Sequence, residues 1–358
     1  MTHRHFNYDI AEDVAQSIGR SGVSAEVFRG KTILITGGTG FFGIWLLSAF
    51  IQIKKNVQGD LRILVVSRDP GEFLQKHALY DFGRHAEFIE SDVKSLILKD
   101  MKVTHLVHMA TTNAIETFAG EDQLNKIDLL YLGTRNVIEQ CGATLEKVLF
   151  TSSGVTYGIT PSGLVTEETP SALDTTSIGS ALGLGKLTAE YLMAYYAEKF
   201  NFRYSIARCF SFAGQHLPLD LHYAFGNFIR DVLEKQDILI KGDGKASRSY
   251  LYIGDATAWL LRLLAEPLNQ IFNVGSEKSI TVVELAERVA NAVGQPTAVN
   301  VIGQQQEIGN FKRDAYVPSV TKITKTYSGL MEWTTVEESI QKMLGSSAVN
   351  FKIDNKEI

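Results

Sequence analysis

Cysteine is scarce in this 358-residue chain, with Cys141 and Cys209 the only two. Neither a disulfide framework nor a zinc-ligand spacing can be built from such a pair, so no metal site is expected and a reducing, cytoplasmic setting is. Long apolar runs are also missing, since nothing approaches the roughly 20 residues that a bilayer span requires. The polar opening MTHRHFNYDIAEDVAQSIGRSG does not suit a secretory leader and predicts a short amphipathic helix ahead of the fold. Positive charge is not in excess. A net charge of -5 argues against a nucleic-acid partner, which calls for a basic face. Internal repeats and low-complexity tracts are absent. What remains is 45% apolar and 21% charged, the balance of a folded globular protein. The length suits one large domain or two.

The chain is organised around residues 31–43, KTILITGGTGFFG. An apolar run from Thr32 to Ile35 meets glycines at Gly37, Gly40 and Gly43, and an apolar, helix-like segment follows from Ile44. A buried strand, a tight glycine turn and a helix N-terminus make an anion site, because exposed N–H groups and the helix dipole both favour a pyrophosphate. Gly37 permits the turn, Gly40 lets the backbone approach phosphate, and Gly43 lets helix and strand pack closely. The spacing is GxxGxxG. Its strand-before, helix-after context, rather than the glycines alone, predicts a dinucleotide site.

Strands and helices then alternate. Residues 61–66 read as a second buried strand ending at Ser67-Arg68-Asp69. An acid at this tip holds the ribose hydroxyls of NAD, whereas an Arg holds the extra phosphate of NADP. Ser67 stands where the acid is expected and Arg68 follows it, which favours NADP, while Asp69 keeps NAD open. Residues 87–93 predict a third strand, with Asp92 placed for an adenine contact. Residues 103–109 predict a fourth, whose His108 reads as a packed strand-end residue. A helical pattern over 128–141 leads to a fifth strand at 147–150, then Thr151-Ser152-Ser153. Long helix 180–200 carries Lys186 and Glu190 on one face. A strand is expected at 203–210, a helix at 223–234, short strands at 238–241 and 298–302, and helices at 281–293 and 335–344. The alternation implies an α/β fold with a doubly wound parallel sheet. Its ligand crevice lies beyond the carboxyl ends of the strands, where Gly37, Ser67, Ala110 and Ser153 gather.

Several blocks resemble one family. They are TGGTGFFG (36–43), Ser91-Asp92-Val93, His108-Met109-Ala110, TSSGVTYG (151–158), GLGK ending at Lys186, Arg208-Cys209-Phe210-Ser211, RSYLYIGD (248–255) and Asn273-Val274-Gly275. Together they are similar to the extended short-chain dehydrogenases/reductases, specifically the nucleotide-sugar epimerases and dehydratases. The resemblance implies a Rossmann domain over 29–213, rejoined by 249–275, and a smaller C-terminal substrate-binding lobe over 214–345. Residues 1–28 then form an extension and 346–358 a tail. It implies a cofactor, NAD or NADP, held by Gly37, Gly40, Phe41, Phe42, Gly43, Ser67, Arg68, Asp92, Val93, Met109, Ala110, Thr111 and Lys186. The implied substrate is a nucleotide-diphosphate sugar, met by Ser153, by Arg248 at the diphosphate and by Asn227. A homodimer is implied too, through the segment from Asp128 and the helix from Ala181, where Ala189, Leu192, Met193 and Tyr196 supply either its apolar contact or ordinary core packing.

In that family a tyrosinate takes a sugar hydroxyl proton while hydride leaves the same carbon. A lysine four residues later lowers the phenol's pKa, and a Ser or Thr bonds the reacting oxygen. Ser153 matches the hydroxyl and Lys186 the lysine, but Leu182 stands at the tyrosine's position. Three readings follow: another acid/base such as Tyr157 or His222, a form that binds ligands without turnover, or a shifted register. The acid pair that dehydratases carry after the Ser/Thr is replaced by Gly154 and Val155, and two further family positions hold Ser211 and Gln215. The simplest expected reaction is therefore 4-epimerisation or 4-ketoreduction, with a 4,6-dehydratase-like lyase and a non-catalytic binder as alternatives.

Overall fold

A computed structural model describes residues 8–99, 101–112, 122–158, 164–221, 223–294, 296–303 and 315–345. His222, the tail at 346–358 and the first seven residues lie outside the described residues.

Seven strands form one sheet: β1 (Lys31–Thr36), β2 (Leu61–Ser67), β3 (Glu87–Glu90), β4 (His105–His108), β5 (Lys147–Ser153), β6 (Arg203–Cys209) and, after further short strands, β11 (Gln270–Val274). Their order is β3-β2-β1-β4-β5-β6-β11, with every pairing parallel. Winding therefore reverses between β1 and β4, and that switch point opens a crevice at the strands' carboxyl ends. The predicted strands at 87–93 and 103–109 are shorter than expected. Asp92 turns the chain after the first by accepting from Lys94 N at 2.7 Å, and β4 begins only at His105, with the Met109 N bond to Thr36 O at 3.0 Å closing its ladder to β1.

Helices cover both faces, as the near-continuous apolar strands require. On one face α1 (Ala11–Ser21), α2 (Phe41–Asn56) and α9 (Ile253–Ala265) join the sheet in a core holding Trp45, Phe50, Trp259 and Phe272. α3 (Pro70–Lys76) and α4 (Phe82–His85) extend this core towards β3 through Phe73 and Phe82. The amphipathic N-terminal helix is built into it by Val14, assisted by Arg20 pairing with buried Asp255 at 2.9 Å. On the other face lie α5 (Gln123–Asp128), α6 (Thr134–Cys141) and α7 (Ala181–Phe200). A π-helical turn, Leu129–Gly133, joins α5 to α6. The helix read over 128–141 thus starts earlier and changes pitch inside. Ala189, Leu192, Met193 and Tyr196 of α7 face inward and pack with Val148, Phe150 and Ile206. They are core residues rather than an outward contact; the outward tyrosines of that helix are Tyr191 and Tyr195.

A third core gathers α8 (Ala224–Leu233), α10 (Val282–Ala292) and α12 (Val336–Gly345), with α11 (Thr321–Thr326) packed on β11. Short strands accompany it. β8 (Ile238–Ile240) pairs with β13 (Val299–Val301), and β7 (Phe212–Ala213) with β10 (Leu251–Tyr252). β9 (Ser247–Ser249) lies between β12 (Ser279–Thr281) and β14 (Ala315–Tyr316).

Candidate active site

The glycine turn comes directly from β1. Gly37 has φ +70°, a left-handed conformation that side chains resist. It also has no room, since a Cβ there would stand 2.7 Å from the Met109 carbonyl carbon. Gly43 presses on the turn itself, where a Cβ would meet the Gly38 carbonyl at 2.3 Å. Gly40 differs, because a Cβ would meet nothing nearer than Gly37 O at 3.5 Å. It is the N-cap of 16-residue α2 and offers no side-chain cap. The first-turn N–H groups of Phe41, Phe42 and Gly43 are thus left to an outside acceptor, which suits a pyrophosphate.

Thr36 ties this turn to β4. Its Oγ1 lies 2.7 Å from His108 Nδ1 and accepts from Ala110 N at 3.3 Å. The other ring nitrogen, Nε2, lies 2.9 Å from Thr134 Oγ1. Burial, with Lys186 adding to it, pushes the imidazole down to about 3, so His108 is a neutral packed bridge at neutral pH. Met109 is buried, Ala110 half-buried and Thr111 exposed, in order along the crevice. Across β1 the end of β2 places Ser67 inside and Arg68 outside. The Asp69 carboxylate is occupied as the α3 cap, accepting from Glu72 N at 2.8 Å. Asp92 caps its own turn, whereas Val93 packs against Gly133, whose Cβ would fall 2.8 Å from Val93 Cγ2.

Ser153 closes β5 in register with Cys209 of β6. Its hydroxyl accepts from Val155 N at 3.3 Å and starts the short 3₁₀ turn Gly154–Tyr157. Lys186 reaches the same strand from α7: Nζ donates to Thr151 O at 2.7 Å and lies 5.0 Å from the Phe150 ring centre. Burial pushes its ammonium down to about 8, although Cys209 and Glu190 act in the opposite direction. Beneath it, Arg208 grips Glu190 through both carboxylate oxygens at 3.0 and 2.7 Å, and Ser152 also donates to Glu190. This buried pair fixes α7 to β5 and β6, and removing one partner would cost about 3–5 kcal/mol. The sequence showed Glu190 beside Lys186 but not its partner, which the sheet register supplies.

Tyr157 faces inward. It is 1% exposed, donates to Asn273 Oδ1 at 2.7 Å and carries the Arg208 guanidinium 4.6 Å over its ring. Burial holds its phenol above the ordinary range, partly offset by Arg208. Leu182 is half-buried on the first turn of α7. Asn227 and Arg248 belong to elements around the third core. Asn227 accepts from Arg230 at 3.4 Å on α8, and Arg248 donates to Ser247 O of its own strand, β9, at 2.7 Å. The structure therefore brings together the glycine turn, Ser67, Met109–Thr111, Ser153 and Lys186 at the sheet's carboxyl edge.

A parallel sheet in this order with a glycine turn at its switch point defines a Rossmann-fold protein. The chain belongs to the NAD dependent epimerase/dehydratase family, whose model matches residues 33–275. It is 27% identical over 295 residues to UDP-glucuronic acid decarboxylase 2 of Arabidopsis thaliana, covering 82% of this chain and 63% of that protein. Its fold is shared with UDP-glucuronic acid 4-epimerase from Bacillus cereus, solved with UDP-glucuronic acid and NAD (TM-score 0.74, 20% identity, 89% and 99% of the chains). A second such structure is dTDP-glucose 4,6-dehydratase from Bacillus anthracis with NAD (TM-score 0.72, 18% identity, 89% and 97%).

Proposed function

We propose that this protein modifies a nucleotide-diphosphate sugar by NAD(P)-dependent hydride transfer, most simply as a 4-epimerase or 4-ketoreductase. The observation that carries the reading is Lys186, buried with its amine on Thr151 O, two residues before Ser153 and on the sheet edge that also bears the glycine turn. When bound, the nicotinamide accepts and returns hydride. Residues 29–213, with the returning 249–275, would hold it. The turn Gly37–Gly43 takes the pyrophosphate, Met109, Ala110 and Thr111 border the dinucleotide, Asp92 and Val93 flank the adenine end, and Lys186 bonds the nicotinamide ribose. Ser67 with Arg68 suits a 2′-phosphate, an argument strengthened by the capping duty of Asp69. The lobe over 214–345 would receive the sugar diphosphate on Arg248 and Asn227, with Ser153 on the reacting oxygen. A cytoplasmic location accords with two free, buried thiols; among the described residues no helix is long and apolar enough to cross a membrane.

A second reading is favoured by the decarboxylase relative. Oxidising a uronic-acid sugar at C4 creates a β-keto acid, which loses carbon dioxide without an acid/base pair for elimination. Gly154 and Val155 supply no such pair, which disfavours a 4,6-dehydratase and suits decarboxylation.

The experiment titrates NAD, NADP and UDP calorimetrically, then incubates the protein with neutral and uronic UDP- and dTDP-sugars under mass spectrometry. We expect binding, tighter for NADP, and an isomeric, reduced or decarboxylated product. Lys186→Met is expected to lower turnover by about 10²-fold or more. Ligand binding with no product from any sugar would convert the reading to a non-catalytic binder, and absence of dinucleotide binding would overturn it.

A further inference from the structure

The Ser153 turn receives a phenol that no motif marked. β14 ends in Tyr316, and its parallel pairing with β9 sets Tyr316 opposite Arg248. The Tyr316 ring packs on Phe210 with centroids 4.6 Å apart, which aims it at the end of β5 and β6. Gly154, directly after Ser153, is what admits it: a Cβ at 154 would stand 2.6 Å from Tyr316 Oη and 2.8 Å from the Phe210 ring. The hydroxyl therefore lies immediately over Gly154, in space that any side chain there would claim. The same turn touches the start of α7, since a Cβ at Gly183 would lie 3.1 Å from Val155 O. Leu182, on that start, has no proton to exchange, and Tyr157 is sealed on Asn273. Tyr316 is half-buried.

We infer that Tyr316 is a catalytic residue, its hydroxyl bonding the reacting sugar oxygen beside Ser153 and exchanging a proton with it. The inference rests on the nucleotide-sugar reading above. In the reducing direction, hydride from a dihydronicotinamide forms the new C–H bond. The carbonyl π pair moves to oxygen, and that oxygen takes the O–H proton of Tyr316, leaving a phenolate. In the oxidising direction the phenolate recovers the proton from the sugar hydroxyl as hydride leaves its carbon. Arg248, the register partner of Tyr316, lies on the same face of that small sheet.

Three proteins test it: the wild type, Tyr316→Phe, and Tyr316→Phe combined with Leu182→Tyr. The Phe variant keeps the ring that packs on Phe210 and removes the hydroxyl alone. We expect kcat to fall about 10²-fold or more, as removal of a general acid/base does. KM and the calorimetric affinities for UDP and the dinucleotide should stay within about threefold. Adding Leu182→Tyr should recover at least tenfold of the loss. A Phe variant with kcat within threefold of wild type would overturn the assignment, as would a loss that tracks weakened ligand binding. A wild type that binds both ligands yet converts no sugar overturns Tyr316 and leaves the ligand reading intact. One that binds neither overturns both.

Discussion

His108 shows how one residue can sit in a site and serve it by staying uncharged. It spans two hydroxyls, Thr36 and Thr134, and so holds β4 against β1 beneath the glycine turn. Burial keeps its imidazole at about 3, His216 likewise at about 3 and His105 at about 4. The unfolded chain binds a proton at each of these below about 6.5, and the folded chain does not. Stability must therefore fall as pH drops from about 6.5 towards 4, each imidazole contributing up to about 1.4 kcal/mol per pH unit. His108→Gln should flatten this slope, measured as the difference in melting temperature between pH 7 and pH 5. An unchanged difference would mean that the folded imidazole is protonated. Residue chemistry was legible where a single position imposes its own constraint. Gly37 needs a left-handed backbone and is found at the expected edge, whereas Lys186 was marked by the family resemblance alone, with Leu182 in place of its tyrosine partner. Tyr316 was not legible, because its place depends on β14 meeting β9, a pairing between distant segments with no local signal.

Among the elements, α10 and α12 share one device. Thr281 accepts from Glu284 N at 3.2 Å, while Glu284 accepts from Thr281 N at 2.8 Å. Thr335 and Glu338 repeat the exchange at 3.1 and 2.7 Å. The two boxes start neighbouring helices of the third core, and Arg288 of one helix pairs with Glu337 of the other. Thr281→Ala or Thr335→Ala should each cost about 1 kcal/mol. The double variant should cost about the sum if the helices are capped independently, as urea denaturation can measure. A loss below about 0.3 kcal/mol in both single variants would contradict the role given to the caps. Long elements with steady apolar patterns, β1, β2, β6 and α7, lay close to their sequence-based bounds, whereas β5, expected at 147–150, runs on to Ser153. Two-residue strands such as β7, β10 and β14 carry too few positions to show any period, and the π turn before α6 looks like ordinary helix in sequence.

For the molecule as a whole, what the sequence left open is which side of α7 is outward. Its regular apolar content cannot tell a core face from a contact face, because the helix is apolar nearly all round. With Ala189, Leu192, Met193 and Tyr196 committed to the core, the exposed apolar groups are Tyr191 and Tyr195, at 66% and 50%, with Leu132 of the π turn at 43%. We propose that a homodimer forms through this face. Sedimentation velocity at micromolar concentration should give a dimer, and Tyr191→Glu with Tyr195→Glu should give a monomer. A wild-type monomer would discard the idea.

Asp255 at the start of α9 accepts from Arg20 of α1 and from the Trp333 and Thr334 amides, and Lys342 of α12 holds Asp13 of α1. The first described helix is thus tied to the last directly through Asp13 and Lys342, and to the segment just before it, Trp333–Thr334, through buried Asp255. Pulled apart, α1 and α12 would load these polar contacts together with the core packing of Val14. Separating them would bare the Asp255 carboxylate and the core side of α1 together.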